Sequence, residues 1–418
     1  MFKRLAAALC VAVMASAMSG PATAQTDDAN AFPPQPSTIA PPSLVAPATT
    51  VAQSTTGQST VAQRAQAGRP ITSAAVGESQ LIERANAWTI GLAAGLPEGT
   101  FLPFAAQIAR NLNDGNDLRV LPIVTPGATD NVRDLLYLRG VDVAITHTDV
   151  FEHFRTVEKI NNIERRIHYI TGLYVSEIHL VVRPEIKTVQ DLAGKKVGFH
   201  LQGSGSTVTA PIVFQRLGVK VEPVFISNAA ALERMKSGEI AAIIHNGGKP
   251  NNLIARLKND GNFRLMEIPF DKFDEFYVPS VMSHEDYPNL IKKGEKVETI
   301  AVPAVLAVYN WPRTSDRFRR VSRFVDYMFD RFERFKGPGY NPLWKDINLA
   351  AQVPGWSRYW VAEEKLKQLQ VRAASAAQTK VDEQLARQQA ARAAPGDSAA
   401  QERLFQQFLE WSKNQARR

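Results

Sequence analysis

Lys195–Pro211 reads KKVGFHLQGSGSTVTAP. "VGF" is a small apolar strand, "QGSGST" a turn of glycines and hydroxyls, and the apolar-periodic segment that follows reaches Leu217, with Gly218 as its stop. A strand, a small-residue loop and a helix in that order aim backbone N–H groups and the positive end of a helix at one point, the make-up of an anion site. No lysine follows "GSGST", which excludes P-loop chemistry, and Gly203-Ser204-Gly205 lacks the third glycine of a dinucleotide fingerprint. One such loop is ordinary turn chemistry; its repetition along the chain gives it weight.

The repetition begins at Trp88. "WTIGLA", "LRVLPIV" and "VDVAIT" read as strands, each followed by a short polar loop ("AGLPEGT", "TPGATD", "HTD") and a segment of helical spacing. Three such units in a row predict a parallel α/β sheet. A second set spans roughly Val181–Met266: the strand "IHLVVR" (Ile178–Arg183), the opening segment, "VEPVFI" with a helix from Ser227 or Asn228 to Gly238, and "EIAAIIHNGGKPNN". "VETIAVPAVLAVYN" (Val297–Asn310) is a late strand, and Ser315–Phe335 a long amphipathic helix. Two α/β halves with a strand returning late predict two lobes joined by two crossings, with ligand in the cleft beyond the carboxyl ends of the strands. Pro211 puts the start of the second-lobe helix near Thr209.

The ends speak of export. "MFKR", an apolar Leu5–Ala17 and the small-residue site Ala22–Ala24 form the pattern of a secretory signal peptide over 1–24. The single cysteine, Cys10, lies within it, so the mature chain has no thiol chemistry and no disulfide. Residues 25–85, rich in Pro, Ala, Ser and Thr, read as a flexible spacer. Lobe 1 is expected over 86–178, lobe 2 over 179–300, the return to lobe 1 with its closing helices over 301–361, and a helical extension over 362–418. In that extension Ser398–Gln401 has capping-box spacing, and Leu404, Phe405, Phe408 and Leu409 form one apolar stripe that wants cover from the body or a second copy, ahead of docking on the transporter or a membrane surface. A net charge of +8 spread along 418 residues gives no nucleic-acid footprint. No apolar run approaches the ~20 residues of a spanning helix.

Catalytic patterns are missing. There is no G-x-S-x-G elbow and no zinc spacing among the seven histidines; neither metal nor cofactor is expected. His200 and His245 end second-lobe strands and either line the cleft or pack as hydrogen-bonded core residues. Asp149 and Glu98 either receive a ligand amine or serve as a helix-start carboxylate and a loop charge.

"YVSEIHLVVRPEIKTVQDLAGKKVGFHLQGSGSTVTA" resembles the central signature of the TAXI family, the solute receptors of tripartite ATP-independent periplasmic (TRAP) transporters. "VDVAITHTDVF", "TPGATDNVRDL" and "GEIAAIIHNGGKPNNLI" resemble further family segments in the same order, so the likeness covers about Trp88–Pro342. It implies a bilobed type II periplasmic-binding-protein fold, α/β throughout, and a small carboxylate ligand, glutamate-like or a dicarboxylate. It also implies TRAP membrane subunits as partners and a periplasmic location. Carried over by position, the ligand residues are Thr125, Gly127 and Thr129; Thr148 and Asp149; Gly203, Ser204, Gly205 and Ser206; and Gly247, Gly248 and Pro250, after His245. The first loop, "GLPEGTF", departs from the family's glycine-rich segment but ends, as that does, in an aromatic, adding Thr100 and Phe101. The expected function is a non-catalytic receptor. The alternatives are an exported sensor or scaffold on the same fold, and an enzyme like the related thiamine-pyrimidine synthases.

Overall fold

A computed structural model describes residues 77–415 apart from 259, 274 and 275. The signal-peptide expectation and most of the spacer lie outside the described residues. The spacer's last residues, 78–85, belong instead to a helix, α1 (Glu78–Ala87), which buries none of its side chains. ESQLIERANA is a run of good helix formers, enough to extend a turn from the strand that follows.

The first lobe is built from β1 (Thr89–Ala93), α2 (Phe101–Leu112), β2 (Arg119–Ile123), α3 (Ala128–Tyr137), β3 (Val143–His147), α4 (Thr148–Thr156) and the short α5 (Ile163–Arg166). β1 pairs in parallel with β2 and β3. The chain then leaves along β4 (Ile167–Val182), which begins eleven residues before the sequence reading placed it. Its partner causes the extension: the late strand, β10 (Lys296–Tyr309), runs antiparallel to it from Ile167 to Glu177. At 3.3–3.4 Å per residue a 16-residue strand spans ~50 Å, long enough to serve two lobes.

The second lobe holds β5 (Lys196–Gly198), α6 (Ser206–Leu217), β6 (Glu222–Val224), α7 (Asn228–Lys236), β7 (Ala242–Gly247), the short α8 (Asn252–Ala255), β8 (Arg264–Met266) and β9 (Val278–Ser283). The sheet order is β2-β1-β3-β10-β4-β7-β5-β6, with β8 on β4 and β9 on β10. β5, β6 and β7 are mutually parallel, while β4 and β10 oppose their neighbours. Lys296–Ala301 of β10 pairs with β9 in the second lobe, and Ala304–Val308 pairs with β3 in the first, with a register shift at Pro303 between them. β4 and β10 are therefore the two crossings.

α6 starts at Ser206 and runs through Pro211, three residues earlier than Pro211 suggested. The Val208 and Thr209 N–H groups already close on the Gly205 carbonyl, and Pro211 lies on the exposed face, where it forfeits one helical hydrogen bond without moving the start.

Each lobe has its own core. In the first, Phe335, Trp344, Phe104 and Tyr174 stack in a column with centroid separations of 4.1, 4.6 and 4.6 Å. This column fixes Tyr174 at the β4 crossing. α9 (Asp316–Asp330), capped by Ser315, packs on the first lobe, and α10 (Trp360–Ala393) docks on α9 through buried Lys365, 3.1 Å from Asp326 and 2.8 Å from Asp330. α11 (Ser398–Gln415) folds back on α10. Phe405 is buried there beneath the Arg387 guanidinium at 3.8 Å, so the extension covers part of its own stripe, while Leu404 stays exposed. The cap of α11 is Asp397, whose carboxylate accepts from Ala400 N–H at 3.0 Å, rather than Ser398.

Candidate functional site

The loops after β1, β2, β3, β5 and β7 converge where the lobes meet. Asn131 in α3, wholly buried, ties the first-lobe loops together. Its amide donates to the carbonyls of Ala94 and, at 2.7 Å, Ile145, and its oxygen lies 2.6 Å from the Thr125 hydroxyl, which donates to it. Thr125 therefore acts on the frame through Asn131.

The two glycine-rich helix starts touch each other. Gly127 has φ +141°, a backbone that favours glycine, and a Cβ there would press on Ser204 Cα at 3.2 Å, so glycine eases the approach. The Gly203 carbonyl then accepts from both Thr129 and Asp130 N–H at 3.0 Å, and Thr129 Oγ1 donates to the Ser204 carbonyl at 2.9 Å. The N-terminus of α3 is thus capped by the other lobe. This corrects the expectation for the Thr129 loop position, whose N–H is taken by the protein itself, while no acceptor among the described residues takes the N–H of Gly127 or Ala128. At α6, no acceptor among the described residues takes the N–H of Gly205 or Ser206.

Beside the α6 start lies a cavity of about 50 Å³. Of the expected residues it is lined by Thr100, Phe101, Gly127, Ser204, Gly205, Ser206, His245 and Gly247, joined by His147, Tyr174, His200 and Asn246. Four of its lining polar atoms are buried with no hydrogen-bond partner: His147 Nδ1, Tyr174 OH, His200 Nε2 and Ser204 Oγ. His147 and Tyr174 were missed as site residues. His147 closes β3 as His200 follows β5, and that shared place at a strand's carboxyl end was the available signal; for Tyr174, deep in an unread strand, there was none. A Cβ at Gly205 would sit 2.6 Å from His147 Nδ1, so this glycine lets the lobes close.

The cavity is lined by neutral groups. Burial lowers the His147 pKa to about 3 and holds His200 below its ordinary value against the pull of Glu98, whose carboxylate lies 3.6 Å from Nε2. His200 also has φ +68°, a left-handed backbone that non-glycine residues rarely adopt and that clusters at functional positions. His245 is a satisfied packing residue. The Asn251 amide donates to its Nε2 at 3.0 Å while Asn251 Oδ1 caps α8, so the imidazole proton sits on Nδ1. Asn228, 2.7 Å away with its Oδ1 otherwise unpartnered, must present that oxygen, because neutral imidazole accepts at one nitrogen only.

The remaining expected residues stand apart from this lining. Asp149, fully buried, accepts from Thr209 Oγ1 at 2.6 Å and Tyr277 OH at 3.0 Å, and so fastens α4 of the first lobe to the second. Burial raises its pKa against those hydrogen bonds. Thr148 is buried with its hydroxyl unpartnered. Gly248 donates its N–H to Thr100 Oγ1 at 3.1 Å, and Pro250 follows Lys249 in a cis peptide. Lys249 itself donates N–H to buried Glu177 at 3.1 Å. Among the described residues no helix is long and apolar enough to cross a membrane, and no cluster of ligating side chains suits a metal ion.

Two α/β lobes crossed by β4 and β10, with strand ends and a helix start closing on their junction, make up the fold of the type II periplasmic binding proteins. A family model described as the NMT1-like family matches residues 92–315, and the chain belongs to that family. Among solved structures, the alkanesulfonate-binding protein SsuA from Xanthomonas axonopodis pv. citri bound to MOPS is 15% identical, covering 67% of this chain and 83% of that one, with a TM-score of 0.37. A periplasmic transporter is 12% identical over 67% of this chain and 93% of its own, with a TM-score of 0.42. The effector-binding domain of QuiR in complex with shikimate is 14% identical over 57% and 94%, with a TM-score of 0.35.

Proposed function

We propose that the protein is an exported solute receptor that takes a small carboxylate at the lobe junction and passes it to a TRAP-type membrane transporter. One observation carries the reading: Gly205 and Ser206 at the start of α6, whose N–H groups have no acceptor among the described residues, share a cavity with four buried side-chain polar atoms that make no hydrogen bond. Buried polar groups are normally satisfied, so a set left unpaired in one cavity marks a place for a polar ligand. The TAXI-like order of the loops supports the transporter partner, and the Met1–Ala24 pattern supports a periplasmic location.

Ligand carriage accounts for the site better than catalysis does. Beside the cavity, Ser176 Oγ lies 2.9 Å from His147 Nε2 as a nucleophile and base would. Ser176 is wholly buried, and among the described residues no acidic group orients the imidazole through Nδ1. Mass spectrometry of small molecules released from purified protein, followed by thermal melts with each acid found, tests the proposal. The expected result is a released carboxylate that raises the melting temperature and is recovered unchanged. Turnover of that acid would replace the receptor with an enzyme.

A further inference from the structure

We infer that the acid held at this junction is a short monocarboxylate with an uncharged tail, and that amino acids and dicarboxylates are turned away. The inference rests on the receptor reading above and narrows it. A carboxylate needs one cluster of donors, and the junction offers one: the Gly205 and Ser206 N–H groups, with Ser204 Oγ and His147 Nδ1 beside them. The α3 start adds to that cluster rather than making a second one: Gly127 and Ala128 line the same small cavity, while the Thr129 and Asp130 N–H groups are spent on Gly203 O.

Charge points the same way. Among the described residues no lysine, arginine, aspartate or glutamate lines the cavity. A second carboxylate would be buried without a cation, and an ammonium without an anion, and neither is tolerated away from water. Asp149 is engaged with Thr209 and Tyr277 and Glu177 with Lys249, and Glu98, outside the lining, stands 3.6 Å from His200 Nε2. Leu96, Phe101 and Pro126 supply apolar lining that suits a short tail, and Tyr174 OH and His200 Nε2, left without hydrogen bonds, suit a neutral hydroxyl or oxo group on it. Size sets the length. A cavity of ~150 Å³ holds benzene, and one of about 50 Å³ suits an acid far smaller than glutamate.

Titration calorimetry of the full chain with acetate, propionate, lactate, pyruvate, L-glutamate and succinate tests this. At least one of the first four should bind about 100-fold more tightly than either of the last two. Glutamate or succinate binding as tightly overturns the inference and leaves the receptor reading standing. Silence from all six overturns both. Leu96→Ala enlarges the apolar end from a half-buried loop position and should shift the preference toward butyrate and valerate by about tenfold. An unchanged preference in a folded variant means that no tail lies against Leu96 and overturns the inference even if a short acid binds.

Discussion

The α3 and α6 starts are nearly the same chemistry put to two uses. Both follow a parallel strand, both have a glycine at the N-cap, and neither has a side-chain cap. At α3 the second and third N–H groups, of Thr129 and Asp130, meet the Gly203 carbonyl of the other lobe, and the helix start becomes a fastening between lobes. At α6 the matching N–H groups, of Thr207 and Val208, close on the Ser204 and Gly205 carbonyls of their own turn, and at both starts the two N–H groups before them (Gly127 and Ala128, Gly205 and Ser206) belong to cavity-lining residues and have no acceptor among the described residues. A glycine-rich helix start is therefore an offer of donors, and the neighbouring lobe decides whether a ligand or the protein itself accepts it.

The largest test of this contrast is pH. The folded His147 pKa, about 3, lies below the unfolded value near 6.5, so the unfolded chain binds more protons between them. Stability should be fully present above pH ~6.5 and fall as pH drops toward 3, by up to ~1.4 kcal/mol per pH unit from this residue. Denaturant melts of wild type and His147→Gln should differ in that slope. A ligand anion at α6 should lift the His147 pKa and flatten the slope further, whereas an unchanged slope with bound ligand would place the anion elsewhere.

Next in size is the frame. Asn131→Ala strips partners from the Ala94 and Ile145 carbonyls and from Thr125 together, and should cost ~3 kcal/mol in chemical denaturation. A loss under ~1 kcal/mol would mean that the loops hold their places without it.

Gly205→Val drives a side chain against His147 of the other lobe and should hold the junction open. The ligand-induced stabilisation, ~2.7 kcal/mol at one hundred times Kd, should vanish. Small-angle scattering should show a larger radius. A full ligand response would remove α6 from the site.

The smallest and most discriminating pair is Thr129→Val against Ser204→Ala. The first deletes a lobe-to-lobe hydrogen bond and should cost ~1 kcal/mol of stability with little change in ligand affinity. The second deletes an unpartnered hydroxyl and should leave the ligand-free melt within ~0.5 kcal/mol while weakening ligand binding. The opposite pattern would exchange the roles assigned to the two loops.

The alternation of apolar strand, polar loop and periodic helix, twice over, was sufficient for two α/β lobes, because period and turn chemistry are local properties that each segment carries by itself. The loops at the strand ends were legible for the same reason, and so was the N-cap at Ser315. The pairing of those loops was not legible. Whether Thr129 faces a ligand or the Ser204 carbonyl depends on where a segment 75 residues away arrives. Asp149 shows the same limit: "HTD" predicts a carboxylate at a helix start, but only the approach of Thr209 and Tyr277 turns it into a clasp. Tyr174 is set by an aromatic column drawn from α2, the 3-10 turns after α9 and β4, which no window of sequence contains. Sequence determined what each loop could offer; the tertiary structure decided which offers were taken, because a buried donor is satisfied by whatever the fold places within about 3 Å of it.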